Sequence, residues 1–117
     1  NKHKIVNILE LANNPYSDRN YDIDIIIPEF TCVCPKTGQP DFAKIKINYV
    51  PDKFIVELKS LKLYLQQYRG FGGFHEEVSN KIFDDFKKTC NPKKIIFVGK
   101  FNARGGISTD VTVSWPQ

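Results

Sequence analysis

Apolar and polar residues alternate along two stretches of this chain and recur at helical spacing along two others. Ala43, Ile45, Ile47 and Tyr49 alternate with Lys44, Lys46 and Asn48, the pattern of an antiparallel strand with one face buried. Ile107, Thr109, Val111, Val113 and Trp115 alternate with polar residues in the same way. Tyr21 to Phe30 is dominated by β-branched residues and predicts another strand, as does Lys94 to Phe101, while Phe54 to Glu57 continues the sheet or a short extension of it. From Ser60 the period changes. Leu61, Leu65 and Tyr68 stand at i, i+4 and i+7 and share one face of a helix, with Lys62, Gln66 and Arg69 elsewhere, until Gly70 to Gly73 breaks it. Val78, Ile82, Phe83, Phe86 and Cys90 form the stripe of a second helix from about His75 to Thr89, which Asn91-Pro92 stops. Arg104-Gly105-Gly106 makes the turn between the last two strands.

The predicted order is ββααββ: an α+β domain with a four-stranded antiparallel sheet under a helical layer. Residues 1–20 read as an irregular segment, with Asn13-Asn14-Pro15 and Ser17 to Asn20 as turn material, and residues 21–117 as one domain. A sheet this small has open edges, so side-by-side assembly into a ring is expected.

Composition narrows the choices. The chain has 117 residues with 41% hydrophobic content, ordinary for a soluble globular domain, and no apolar run approaches a membrane span. No signal-peptide pattern stands at Asn1. The 3 cysteines imply a reducing, cytoplasmic setting rather than a disulfide framework. Cys32-x-Cys34 is a poor zinc half-site, and neither His3 nor His75 lies at ligand spacing from a cysteine, so no metal is expected. The net charge of +4 suits an anionic partner, which a phosphate-bearing cofactor or a nucleic acid would satisfy equally.

The segment from Pro28 to Asp41 carries the candidate chemistry. A strand ends there and a Pro/Gly-rich loop opens, with Cys34 at its start, Lys36 two residues on and Asp41 returned by the loop. Positive charge favours the nucleophilic thiolate, and a nearby carboxylate trades protons with a substrate. A buried structural cysteine beside a solvated turn fits the same residues. Cys32 reads as a small packing residue and Cys90 as core. Tyr64 and Tyr68 read as core or interface residues.

Four blocks resemble a known family. Phe30-Thr31 and Cys34-Pro35-Lys36-Thr37-Gly38-Gln39-Pro40-Asp41-Phe42 resemble the signature of the QueF family, the 7-cyano-7-deazaguanine reductases. Glu57-Leu58-Lys59-Ser60-Leu61-Lys62-Leu63-Tyr64 is similar to that family's cofactor-associated motif, and Phe74-His75-Glu76-Glu77 and Arg104-Gly105-Gly106-Ile107 to two further pieces. The resemblance implies the tunnelling (T-) fold, in homo-oligomeric stacked rings with sites between subunits. It also implies reduction of a nitrile on a deazapurine to a primary amine, in tRNA queuosine biosynthesis, using two NADPH. By resemblance Cys34 adds to the nitrile as a thioimide, Asp41 donates a proton, and His75 binds substrate and supplies a later proton. Glu76, Val56, Glu57 and Leu58 hold the base, and Lys59, Lys62, Arg104 and Gly105 hold NADPH.

Each assignment has an ordinary structural counterpart. Lys59 and Lys62 suit a solvated helix face, Arg104-Gly105-Gly106 a simple hairpin, and His75 and Glu76 a helix start. Two other functions compete. An archaeosine-type amidinotransferase acting on the nitrile-modified base in tRNA shares the cysteine but lacks the lysine-bearing motif, which is intact here. A non-enzymatic RNA-binding module needs aromatics among the basic residues of one sheet face, whereas that face carries Lys44, Lys46 and Asn48 alone. Neither direct nucleic-acid binding nor membrane binding is therefore expected.

Overall fold

A computed structural model describes residues 4–117, and His3 lies outside them. The strands are β1 (Leu11–Asn13), β2 (Ile23–Val33), β3 (Pro40–Val50), β4 (Phe54–Val56), β5 (Lys94–Arg104) and β6 (Ile107–Trp115); the helices are α1 (Leu58–Gln66) and α2 (His75–Cys90). A 3-10 turn, Gln67–Gly70, follows α1. The main sheet is antiparallel in the order β2-β3-β5-β6, with β1 and β4 paired apart from it. Both helices pack on one face, so the architecture is the expected α+β arrangement. Among the described residues no helix is long and apolar enough to cross a membrane.

Leu11–Asn13 lies within the segment expected to be irregular, yet it pairs with Phe54–Val56. No alternation marks so short a strand. Asn14 fixes it: its side-chain amide donates to the Asp52 carbonyl at 2.7 Å and its Oδ1 accepts from the Tyr21 hydroxyl at 2.6 Å. Phe54–Val56 accordingly belongs to this small ribbon and not to the main sheet.

β3 begins earlier than its apolar alternation suggests. The core-facing row Tyr49, Ile47, Ile45, Ala43 continues in phase to Asp41, only 6% exposed. The carboxylate hides the continuation of the pattern, and Pro40 is tolerated as the first residue of the strand. β2 also runs on, past Phe30 to Val33, with a register shift between Ile27 and Phe30; Pro28 cannot donate to the ladder and sits in that shift. α1 starts at Leu58 because Glu57 caps it, accepting from the N–H groups of Lys59 and Ser60 at 2.7 and 2.8 Å.

Tyr64, Tyr68, Ile82, Phe86, Ile95 and Phe97 fill the core between helices and sheet. Burying two phenols requires partners. Tyr64 donates its proton to Asp85 Oδ2 at 2.6 Å, so Tyr68, at 2.8 Å, donates to Tyr64. Lys81, one turn earlier in α2, reaches the same carboxylate oxygen at 3.3 Å. Burial and this carboxylate push Tyr64 far above the ordinary phenol value. Replacing Tyr64 with Phe strands the Tyr68 hydroxyl and removes a donor from Asp85. The expected loss is about 1–3 kcal/mol of unfolding free energy, measured by urea denaturation, and an unchanged midpoint would refute the network's contribution.

Candidate active site

The end of β2 carries Cys34, and backbone geometry sets where it points. Val33 N–H donates to the Phe71 carbonyl at 3.1 Å, and the Val33 carbonyl accepts from Gly73 N–H at 3.2 Å. These two bonds bind the strand end to the segment that enters α2. The absent side chain at Gly73 leaves room for the Phe71 ring, from which a Cβ there would stand 2.6 Å. Beyond Val33 the chain closes on itself: Cys34 N–H donates to the Gln39 carbonyl and Gly38 N–H to the Cys34 carbonyl, at 2.8 and 2.9 Å. Gly38 takes φ +74° in this loop, a backbone region that favours glycine.

The loop also tunes the sulfur. The Thr37 hydroxyl, then the N–H groups of Thr37 and Lys36, stabilise the thiolate and hold the Cys34 pKa below its ordinary value, against an opposing push from Asp41. The expectation for Lys36 is thus revised: its backbone N–H acts on the sulfur, while its side chain is exposed. Burial pushes the other two thiols up, Cys32 to about 12 and Cys90 to about 11. Both are fully buried, consistent with packing roles.

Cys34 lines a cavity of ≈ 340 Å³ together with Asp41, His75, Glu76 and Arg104. Asp41 is its hub. Its Oδ2 lies 3.2 Å from His75 Nε2, and its Oδ1 lies 3.2 Å from Arg104 Nε. Arg104 also donates to Gln39 Oε1 at 2.8 Å and to the Pro40 carbonyl. His75 and Glu76 open α2, whose first turn has no side-chain cap at Phe74, so its N–H groups and dipole favour negative charge in the cavity.

The remaining candidates lie elsewhere in the chain. Leu58 and Lys62 line a second cavity of ≈ 360 Å³ between α1 and residues 25–31 of β2, with Arg69 beside them. Lys59 is exposed on the first turn of α1. Val56 is 5% exposed, its N–H donating to the Tyr49 hydroxyl at 3.1 Å. Glu57 is occupied as the α1 cap, and the N–H groups of Lys59 and Ser60 hold it below the usual carboxylate range. Gly105 and Gly106 have φ +59° and +82°, as a two-residue hairpin turn demands, and Gly105 lines neither of these cavities. The chain therefore gathers Cys34, Asp41, His75, Glu76 and Arg104 in one place and leaves Leu58 and Lys62 at another.

Sequence reasoning missed Thr37, Gln39 and Phe74. Phe74 lines the thiol cavity with its ring 54% exposed; a large aromatic left exposed at a helix start is the signal that would have found it.

An antiparallel sheet under two helices, with a lowered-pKa thiol at the wall of a cavity, defines an α+β protein with a nucleophilic cysteine, and comparison with known proteins narrows the class. The profile of the family described as QueF-like protein matches residues 40–117. A relative from Thermomicrobium roseum named NADPH-dependent 7-cyano-7-deazaguanine reductase is 56% identical over 109 residues, covering 93% of this chain and 85% of the relative. One of the same name from Chlorobaculum tepidum is 53% identical over 110 residues, 94% of either chain. The crystal structure of the archaeosine synthase QueF-Like in the apo form superposes with a TM-score of 0.74 at 20% identity, covering 80% of this chain and 91% of that one. The chain belongs to the QueF family.

Alkylation by iodoacetamide at neutral pH is expected to mark Cys34 alone in the folded protein, with a half-maximal rate below the pH typical of a thiol. Thr37→Val removes a stabilising hydrogen bond from the thiolate, raises its pKa and shifts that midpoint upward. Peptide mass mapping across a pH series checks both, and labelling of Cys32 or an unmoved midpoint would contradict them.

Proposed function

We propose that this chain is an NADPH-dependent 7-cyano-7-deazaguanine reductase that works through a covalent adduct on Cys34. The observation that carries the reading is the convergence of an activated thiol, a carboxylate–imidazole pair and Glu76 on one cavity. As the Cys34 sulfur adds to the nitrile carbon, Asp41 takes up the thiol proton and donates it to the nitrile nitrogen, which gives a thioimide. Attachment holds the carbon fixed for the later steps. His75, paired with Asp41, supplies a further proton. The balance is R–C≡N + 2 NADPH + 2 H⁺ → R–CH₂–NH₂ + 2 NADP⁺.

Glu76 accepts hydrogen bonds from the N–H groups of the guanine-like edge, a role suited to an ionised carboxylate, which only accepts. The exposed Phe74 ring offers an apolar face to a flat base.

The second cavity suits part of NADPH. Its walls are apolar at Ile25, Ile27 and Leu58, and Lys62 and Arg69 line it as cations, with Lys59 on the same helix. Lys cations attract phosphate as point charges, and Arg adds a planar fork. When bound, NADPH supplies the hydrides. The separation of the two cavities in one chain supports a site completed between subunits, in which Val56, Glu57 and Leu58 of one chain wall the base cavity of another. The open edges of β2 and β6 supply the surfaces for such a ring. Arg104 and Gly105 border the nucleotide in that assembly. The setting is the cytoplasm, within tRNA queuosine biosynthesis.

Adding 7-cyano-7-deazaguanine is expected to oxidise two equivalents of NADPH per base. Cys34→Ala abolishes this and the adduct mass while base binding persists, and Cys32→Ser keeps most activity. Ammonia incorporation without NADPH oxidation would favour the amidinotransferase chemistry instead. The second expectation is a particle larger than a dimer by light scattering, with a preference for NADPH over NADH that shrinks in Lys59→Ala and Lys62→Ala. A fully active monomer, or equal use of the two nucleotides, would overturn the shared site.

A further inference from the structure

His75 is held on three sides, and only one of them is polar. Its Nε2 meets Asp41 at 3.2 Å, its backbone begins α2, and its ring lies flat on Phe101, with centroids 3.9 Å apart and planes 8° from parallel. Phe101 is itself 2% exposed and belongs to the core-facing row of β5. The residue before it in that row is Gly99. A Cβ at Gly99 would stand 3.1 Å from the Phe101 ring, 3.2 Å from the Phe97 ring and 3.3 Å from Ser79 Oγ. Those are tight distances, so the missing side chain is what lets both rings and α2 settle close to the strand. Ser79 is one turn beyond His75, and its hydroxyl is buried without a partner. Closeness of helix to strand is therefore retained here despite an unsatisfied hydroxyl, which costs stability.

A hydrogen bond to one ring nitrogen leaves an imidazole free to rotate about that bond. A flat surface under the ring removes this freedom. We propose that Phe101, seated by Gly99, is a positioning residue for His75: it fixes the imidazole plane so that Asp41 and the reacting nitrogen are met in line. Apolar volume alone does not suffice for this role; a planar face at van der Waals distance does. The inference rests on the reading of His75 as a proton-transfer group in nitrile reduction.

The test is a double-mutant cycle on kcat, with adduct mass and Tm measured on each protein. Phe101→Leu keeps an apolar side chain and loses the plane. It is expected to lower kcat at least tenfold, because small misplacements of reacting groups carry penalties on the order of 10²-fold, while Cys34 still forms its adduct. His75→Gln is expected to fall comparably, and the double variant to lie within about threefold of His75→Gln alone, since residues that act as a unit are non-additive. Gly99→Ala tilts the same ring by another route and should show the same non-additivity; it also serves if Phe101→Leu does not fold. Phe101→Tyr retains the plane and should retain most of kcat. Multiplicative losses in the double variant, or full kcat in Phe101→Leu, overturn the proposal, because a purely structural contribution lowers Tm and adds independently of His75. Full kcat in His75→Gln removes the proton-transfer role and the positioning role together. Failure of the wild-type protein to form any adduct is a separate result and strikes the covalent mechanism instead.

Discussion

Two backbone hydrogen bonds, from Val33 to Phe71 and from Gly73 to Val33, hold this molecule's chemistry in place. Without them the end of β2 and the start of α2 would be a loop and a helix with no fixed separation. With them, the residue after Val33 and the residues after Gly73 open onto one cavity. Much else serves this junction. Tyr68 packs against Phe71 and Phe30, its carbonyl accepts from Phe71 N–H at 3.0 Å, and its hydroxyl is bonded through Tyr64 to Asp85 on α2. The chain of contacts runs from Asp85 on α2, through the aromatic core, to the strand that presents the thiol.

Asp41 shows how a core pattern becomes a site. It is the last member of the row that carries Ala43, Ile45, Ile47 and Tyr49 inward. A carboxylate at that position is desolvated by its place in the fold, and an unpaired buried charge is strongly disfavoured. Arg104 and His75 supply the partners, one on each oxygen. The sheet therefore holds this carboxylate at the cavity by the same register that holds its core, and the His75 ring completes the layer by stacking on Phe101.

The helices were legible in the sequence because their stripes are apolar and their stops are local: Asn91, with φ 50°, and Pro92 end α2 where expected. The main sheet was legible in its members and short at its ends, since Asp41, Cys32 and Val33 do not look like continuing strands. The β1–β4 ribbon was invisible because its pairing joins segments far apart in sequence and its stability comes from Asn14, a residue that reads as a turn. Of the site, Cys34, Asp41, His75 and Glu76 could be marked on the chain by motif. What could not be read was how they are arranged: that Lys36 acts through its backbone, that Glu57 caps a helix, that Gln39 holds Arg104, or that Phe74 and Phe101 border the imidazole and its cavity. Those facts depend on φ, ψ and packing, which a string of residue types does not specify.

The six-residue loop from Cys34 to Gln39 is closed by its own two hydrogen bonds, and the groups that lower the thiol's pKa lie within it. The tuning of the thiol is thus encoded locally, while other walls of its cavity come from Asp41 on β3, His75 and Glu76 on α2 and Arg104 at the end of β5. Substitutions in those walls leave the loop's own hydrogen bonds to the sulfur in place, and only Asp41 among them acts on its pKa. The closing hydrogen bonds and the groups that act on the sulfur thus travel together in one short stretch of chain, a self-contained unit.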